Sequence, residues 1–196
     1  MSTKASALSE RRVRKGTAEK LLQAAVSEFN EHGFDGTDTN RIARRAGFAP
    51  QTFYRWFQDK VEIFIKVYEH WQQEEVAVLR KLLADKATDA RLVQACVAHH
   101  RAYLLFRRSL RRLSIENPKV RAARARSRLA QIGYLRSMAA NRSRDIADLA
   151  ATLLQFERLS DALAEGEFAD MGLDGKAGEE ALILLLQRLR KPARRR

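Results

Sequence analysis

The side chains best suited to recognition chemistry lie in one short stretch, residues 37–60. Gln51 and Arg55 carry amide and guanidinium groups that can hydrogen-bond base edges in the major groove of DNA, and Asn40 can do so from the preceding segment. Hydroxyl, aromatic and ammonium groups around them suit phosphate oxygens. The stretch therefore predicts a DNA-binding surface that begins its second segment at Pro50 and takes its phosphate contacts from Thr37, Thr39, Thr52, Tyr54, Trp56 and Lys60.

Two short helices joined by a tight turn must hold these side chains in place. Asp38 is a good N-cap for the first helix, and Gly47 ends it because glycine readily adopts the left-handed conformation. Pro50 suits the first position of the second helix, since its missing N–H would have no intrahelical partner there. At helical spacing, one side of each helix is apolar, formed by Ile42, Ala43, Ala46, Phe53 and Phe57. This pattern predicts a helix-turn-helix.

The same residues belong to a longer motif. It includes His32-Gly33-Phe34, Gly36-Thr37, Ile42-Ala43-x-x-Ala46-Gly47 and Thr52-Phe53-Tyr54-x-x-Phe57-x-x-Lys60. From about Thr17 to Phe64 the chain thereby resembles the TetR (tetracycline-repressor-like) family of transcriptional regulators. Three positions depart from the family pattern: Ala49 cannot cap, Arg41 replaces a capping-box carboxylate, and Gln51 replaces what is often glycine or proline. The first two departures remove polar or negative character, and Gln51 bears on the operator sequence rather than on DNA binding itself.

The resemblance implies an all-α homodimer with about nine helices. An N-terminal three-helix DNA-binding domain would precede a C-terminal ligand-binding and dimerisation domain. The two recognition helices of the dimer would enter successive major grooves of a pseudo-palindromic, double-stranded operator. A small apolar or amphipathic effector would shift the fourth helix and release the DNA, which makes transcriptional repression the expected function.

Composition is consistent with a nucleic-acid partner. The chain has 196 residues, 45% of them hydrophobic, and a formal net charge of +13 with a pI near 10.4. Such a charge favours a polyanion over a neutral partner. The single cysteine, Cys96, and the absence of an apolar leader predict a reducing bacterial cytoplasm. The longest apolar run, residues 181–186, is far short of the roughly 20 residues of a membrane span, so no membrane partner is expected.

Four segments are predicted along the chain. Residues 1–16 carry a basic cluster without helical periodicity and are expected to form a flexible arm, which either contacts DNA or is solvated. Residues 17–60 form the helix-turn-helix domain, with Thr17 as the cap of its first helix. Residues 61–190 form the ligand-sensing and dimerisation domain, starting with a long helix capped by Asp59 and Glu62. Residues 191–196 are a basic tail.

Two apolar segments near the C-terminus predict the dimer interface. The first runs from Ile146 to Leu163 and is apolar on more than one face. The second, Ala181 to Leu189, is apolar nearly all round, which is unusual for a helix at a monomer's surface. We expect the two segments to form a four-helix bundle between subunits. A central core helix of a monomer is the alternative.

An effector cavity is predicted among the fourth, fifth and seventh helices. Its expected lining is apolar with a few isolated polar groups, the usual composition of a small-molecule site. Ordinary core packing would explain each residue separately. The predicted lining residues are Trp71, Leu79, Cys96, His99, Tyr103, Tyr134 and Met138.

A second concentration of charge remains unexplained by DNA binding. Residues 101–128 contain ten arginines and lysines and one acid, Glu116. An anionic effector such as an acyl-CoA, further phosphate contacts, or a solvated face would each account for it. Because the charge lies outside the helix-turn-helix, it leaves open a sequence-independent nucleic-acid-binding or chromosome-organising protein.

Catalytic and metal chemistry is not expected. Adjacent His99 and His100 point about 100° apart on a helix and cannot chelate one metal as an i, i+4 pair can. There is no zinc-ligand spacing, no glycine-rich phosphate loop and no nucleophile elbow. We also expect no pair of carboxylates on an apolar helix face that is placed for general acid–base work. An enzyme on a helical scaffold is therefore disfavoured, and no cofactor or metal is predicted.

Overall fold

The computed structural model describes the backbone of residues 2–138 and 141–190, and the side chains of residues 16–138 and 141–190. In these residues the chain forms helices and no strands, so the all-α prediction is confirmed. The short α9 makes ten helices where about nine were expected. They are α1 (Ser2–His32), α2 (Thr39–Arg45), α3 (Pro50–Tyr54), α4 (Lys60–Ala84), α5 (Asp89–Ala102), α6 (Leu104–Glu116), α7 (Pro118–Ser137), α8 (Ile146–Glu165), α9 (Glu167–Asp170) and α10 (Lys176–Arg190).

The first helix starts earlier than predicted. α1 begins at Ser2, so Thr17 lies inside the helix and does not cap it, and residues 2–16 are helical where an irregular arm was expected. Segment 4–15 consists mostly of Ala, Leu, Glu, Arg and Lys, which have high intrinsic helix propensity without any apolar periodicity. The side chains of the predicted basic arm and the whole predicted tail, 191–196, lie outside the described residues.

The helix-turn-helix forms at the predicted residues. Asp38 accepts a hydrogen bond from the Arg41 N–H at 2.8 Å and caps α2. Gly47 follows with φ +79°, in the left-handed region where a larger residue would be strained. Ala49 precedes α3 without a side-chain cap, and Pro50 occupies the first turn of α3.

One apolar core connects the DNA-binding helices to the following domain. Phe29 of α1 packs edge-on against Phe64 of α4, with ring centroids 5.0 Å apart, and Phe64 contacts Phe106 of α6 at 4.9 Å. The packing therefore continues across the predicted domain boundary at residue 60. Buried members of this core include Leu21, Ala25, Phe29, Ile42, Ala43, Phe53, Ile63, Phe64, Val67, Phe106 and Leu110.

The fourth helix is the structural link between the two parts. Asp59 caps α4 by accepting from the Glu62 N–H at 2.7 Å, and the Glu62 carboxylate accepts from the Gln58 N–H at 2.6 Å. This is the predicted cap pair, with the return bond shifted to the residue before the cap. At about 1.5 Å per residue, the 25 residues of α4 extend about 37 Å, from the helix-turn-helix to the far end of the second domain.

The second domain encloses two further apolar clusters, both of which include α8 and α10. Leu182 of α10 packs with α5 and α8, and Leu189 packs with α7 and α8. α10 begins at Lys176, five residues before the predicted start at Ala181. The apolar surface of α10 is only partly buried within the subunit, since Leu184 is 67% exposed. No helix in the described part of the chain has both the length and the apolar character to cross a membrane.

Candidate nucleic-acid interface

The two helices of the motif bury one side and leave the other to solvent. Ile42 on α2 and Phe53 on α3 are fully buried. On the outer side Asn40, Gln51 and Arg55 are all exposed. The apolar spacing therefore places the three predicted base-contacting side chains on a free surface, with amide and guanidinium donors that suit base edges.

A hydroxyl pair joins the two helices on this surface. The Thr39 hydroxyl oxygen lies 3.0 Å from that of Tyr54, so one hydroxyl donates to the other. Tyr54 remains 58% exposed, and its ring packs edge-on against Phe53. Each hydroxyl keeps hydrogen-bonding capacity for a phosphate oxygen. Both residues thus lie where the sequence predicted phosphate contacts.

Two predicted phosphate ligands have side chains directed into the protein. Thr37 is buried, and its hydroxyl donates to the Glu28 carbonyl at 3.1 Å. The Lys60 ammonium donates to the carbonyl oxygens of Phe34 and Thr37, both at 2.8 Å. Burial lowers the pKa of Lys60. These carbonyls belong to the loop between α1 and α2, which packs against the start of α4. Because the loop and α4 are separated in sequence, the local pattern around Lys60 could not predict the contact.

The remaining predicted contacts, Thr52, Trp56 and Pro50, differ in exposure. Thr52 and Trp56 are half-buried, and Trp56 packs against the apolar core. Pro50, at the start of α3, is exposed. The surface thus consists of α3 with the N-terminal turn of α2.

Sequence reasoning missed an ionic cluster that fixes α2 against α1. Glu28 of α1 is buried and accepts from Arg41 Nε at 2.9 Å and from Arg45 Nη1 at 3.1 Å. Arg45 also donates to Glu31 at 2.7 Å. Burial alone would raise the pKa of Glu28, but the hydrogen bonds from Arg41 and Arg45 outweigh burial and lower it. Arg41, which departs from the family capping pattern, is therefore used to position α2.

Known proteins share this domain. The family model described as "Bacterial regulatory proteins, tetR family" matches residues 21–67, which span the C-terminal part of α1, both helices of the motif and the start of α4. Residues 21–67 therefore match the DNA-binding domain of the TetR family.

Two curated regulators and one solved structure are also similar to this chain. The HTH-type transcriptional regulator YdgC of Bacillus subtilis is 32% identical over 66 residues, which cover 34% of each chain. The fatty acid metabolism regulator protein of the same organism is 25% identical over 81 residues, 41% of this chain and 42% of that one. The matches thus span well under half of these relatives. A transcriptional regulator from Rhodococcus sp., assigned to the TetR family, superposes with a TM-score of 0.68 over 90% of this chain and 100% of its own, at 16% identity, which shows a shared fold.

Only part of the predicted effector set is brought together in the structure. Trp71 stacks on His99 with ring centroids 5.2 Å apart, and His99 lies 5.2 Å from the Tyr103 ring. His99 Nε2 lies 3.1 Å from the Trp71 carbonyl oxygen, and the Tyr103 hydroxyl donates to Glu74.

The other members of the set are more scattered. Cys96 is buried, and burial raises the pKa of its thiol, so the thiol is neutral and packed. Leu79 and Met138 are half-buried, Met138 just after the end of α7, and Tyr134 is 55% exposed. The lining of an effector site therefore stays a prediction, and Trp71, His99 and Tyr103 are its most compact part.

A buried ionic network occupies the interior beside Trp71. Arg107 of α6 donates to Asp161 of α8 at 2.8 Å, and its guanidinium carbon lies 4.4 Å from the Trp71 ring centroid. Glu157, one turn before Asp161, accepts from Arg124 and Arg128 of α7. Burial would raise the pKa of both carboxyls, but His100 and Arg107 lower that of Asp161, and Arg124 and Arg107 lower that of Glu157 to about 2.

Ion pairs within the subunit, of which this network is the buried part, account for most of the basic segment at residues 101–128. Arg107 and Arg124 are buried, and Arg111 pairs with Asp161 at 3.5 Å. The interpretation of the segment as a solvated face is therefore wrong for these three residues. At the surface, Arg112 and Lys119 pair with Asp35 at 2.5 Å and Asp59 at 3.3 Å. The segment mainly binds the helices to one another.

One pair of carboxylates does lie on an inward helix face. Glu157 and Asp161 are four residues apart on α8, and their side chains are 16% and 1% exposed. The arginines hold both carboxyls ionised, which leaves neither of them a proton to donate at neutral pH. The i, i+4 spacing of like charges on three helices was the available signal: Arg107 and Arg111, Arg124 and Arg128, Glu157 and Asp161.

Proposed function

We propose that the protein is a homodimeric transcriptional repressor that binds a pseudo-palindromic operator through α3. One observation carries the proposal: Gln51, Tyr54 and Arg55 project from α3 into solvent while Phe53 of the same helix is fully buried. Direct readout needs amide and guanidinium groups on a rigid helix that fits the major groove. The ionic cluster around Glu28 and the cap at Asp38 supply that rigidity.

Exposed apolar side chains support the dimer. Ile146 and Leu154 on α8 are 45% and 40% exposed, and Leu184 on α10 is 67% exposed. Such side chains on two adjacent helices favour burial against a second copy. A two-fold dimer then presents two α3 helices to one face of DNA, and half-sites about one helical turn or somewhat more apart would match them.

The rival function is sequence-independent nucleic-acid binding. Its main support was the basic segment at residues 101–128, and much of that charge is paired with Glu157, Asp161 and other acids within the subunit. Binding-site selection with purified protein and random duplexes separates the two functions. The proposal expects enrichment of an inverted repeat, and equal affinity for selected and random duplexes would refute it.

A small apolar or amphipathic effector completes the proposed function, in keeping with a relative named for fatty acid metabolism. Trp71 supports a site near α4 and α5, because its ring is buried against His99 and Arg107. Fatty acids, acyl-CoAs and apolar aromatics can be screened by tryptophan fluorescence with and without operator DNA. By linkage, a releasing effector must bind more weakly when operator is present, by the same factor that it weakens DNA binding. A compound with equal affinity in both cases is not the effector.

A further inference from the structure

His100 lies between the helix that carries the DNA-binding domain and a helix of the proposed dimer interface. It is on α5, with its side chain 4% exposed. Its Nδ1 is 2.8 Å from Asp161 Oδ1 on α8, and its Nε2 is 3.3 Å from Glu75 Oε1 on α4. One imidazole therefore bridges α4 and α8.

This geometry favours the charged ring. A neutral imidazole has one N–H, so one of the two carboxylates would face a nitrogen lone pair, whereas the imidazolium donates to both. Burial lowers the pKa of His100, but the bonds to Asp161 and Glu75 outweigh burial and raise it above its ordinary value.

Other titratable and charged groups near His100 lie on α5, α6, α7 and α8. Arg107 of α6 opposes protonation, but it is itself bonded to Asp161 at 2.8 Å. On α5, Cys96 lies one turn earlier with a neutral thiol. The remaining charged groups do not contact His100 and affect its protonation only through the charged residues they contact. They are Arg111 on α6, Arg124 and Arg128 on α7, and Glu157 and Glu165 on α8.

We propose that His100 is a positioning residue whose imidazolium holds α4 against α8, and that loss of its proton releases α4 and weakens operator binding. The proposal rests on the proposed function, because α4 begins directly behind the helix-turn-helix and α8 supplies part of the dimer contact. When the ring is neutral it keeps one donor, which stays with the closer Asp161, and the Glu75 contact is lost. α4 is then free to move relative to the dimer.

The direction of the pH dependence follows from the raised pKa. The bridge is complete below the ordinary histidine value of about 6.5 and is lost as pH rises through the higher folded value. Operator affinity should therefore fall between pH 6 and pH 9. A drop of about fivefold or more is expected, the lower end of usual coupling between two sites.

Glu75→Gln is the sharpest variant. An amide can accept from the charged ring or donate to the neutral one, so it keeps the contact at every pH. Affinity in this variant should show no pH step. His100→Gln should also lose the step, and His70→Gln is the control, since His70 is a half-buried histidine on α4 that pairs with Glu74 of the same helix. His70→Gln should keep the step.

Two readouts without DNA separate this proposal from the proposed function. Histidine NMR gives the protonation of His100 directly, and spin labels at Gln73→Cys and Arg158→Cys, both exposed sites on α4 and α8, give the helix separation. A label distance that changes with pH in the parent and not with Glu75→Gln supports the bridge, even if no DNA sequence is ever bound. A constant distance, a His100 pKa at or below 6.5, or an unchanged affinity step in Glu75→Gln would overturn it while leaving operator binding intact.

Discussion

The Lys60 ammonium lies 4.0 Å above the centre of the Phe34 ring and within 2.8 Å of the Phe34 carbonyl oxygen. It also donates to the Thr37 carbonyl at 2.8 Å. Through these contacts the first residue of α4 fixes the loop that connects α1 to α2. A lysine at this position was predicted to bind phosphate, and its bonds instead suit a role in positioning the helix-turn-helix.

Lys60→Met should weaken operator binding without changing how binding depends on salt. A phosphate contact releases counterions, so its loss would reduce the slope of log K against log salt by about 1. A positioning role predicts an unchanged slope and a lower melting temperature, because the part-buried carbonyls of Phe34 and Thr37 lose their donor. Titrations at several salt concentrations together with thermal melts measure both.

Lys66→Met is the matched control for that experiment. Lys66 is exposed on α4 and pairs with Glu69 of the same helix at 2.8 Å. Its loss should leave the melting temperature and the affinity almost unchanged. A salt slope that is reduced in Lys60→Met and not in Lys66→Met would show that Lys60 contacts a phosphate.

Arg55→Ala should relax sequence preference at one base position and cost about 1–3 kcal/mol of operator affinity. The guanidinium is exposed at the end of α3, where bidentate contact with a guanine is available. Arg80→Ala, an exposed arginine far along α4, controls for the loss of one charge. Repeating binding-site selection with both variants measures the effect, and an unaltered preference in Arg55→Ala would remove this residue from base recognition.

The DNA-binding helices could be predicted closely because their determinants are local. Asp38, Gly47 and Pro50 act on the backbone within a few residues, and each begins or ends the helix it was expected to. The start of α1 could not be predicted in this way. Helix propensity in residues 4–15 extended the helix where apolar periodicity gave no signal.

The ionic interior could not be predicted because its partners are distant in sequence. Arg107 and Asp161 are 54 residues apart, and Arg41 and Glu28 are on different helices. Burial of charge depends on which helix faces pair, and composition alone suggested solvated arginines. The i, i+4 spacing of like charges, basic on α6 and α7 and acidic on α8, becomes informative once those helices are known to face one another.

Glu28→Gln should destabilise the DNA-binding domain by about 1–2 kcal/mol, because Arg41 and Arg45 lose a buried partner while they still reach solvent. Glu31→Gln is the control, since Glu31 pairs with the same Arg45 at the surface. Denaturant unfolding of both variants should show the larger loss in Glu28→Gln. Equal losses would mean that burial of Glu28 contributes nothing.

Leu184→Asp should yield a folded monomer. Leu184 is exposed in the subunit, so a carboxylate there is tolerated alone but would be buried unpaired in the proposed interface. The half-buried Leu185 is a poorer probe, because its replacement also disturbs the subunit core. Ile115→Asp, which alters a 73% exposed residue on α6, should remain dimeric. Light scattering and circular dichroism distinguish the outcomes, and a dimeric Leu184→Asp protein would place the interface elsewhere.

Glu157→Gln should cost about 3–5 kcal/mol of stability, because it leaves three arginines facing one another without their shared carboxylate. Arg107, Arg124 and Arg128 all contact Glu157.

Burial opposes ionisation of Glu157, but Arg124, Arg107 and Arg128 together lower its pKa to about 2. A lowered carboxyl pKa stabilises the fold above the unfolded value of about 4.3 and loses that contribution as pH falls toward 2. Melting temperatures of the parent should therefore drop steeply below pH 4.3, and the drop should be shallower in Glu157→Gln. Glu116→Gln, which removes an exposed carboxylate paired with Arg112, should follow the parent profile. Parallel profiles for the parent and Glu157→Gln would show that this carboxylate does not stabilise the interior.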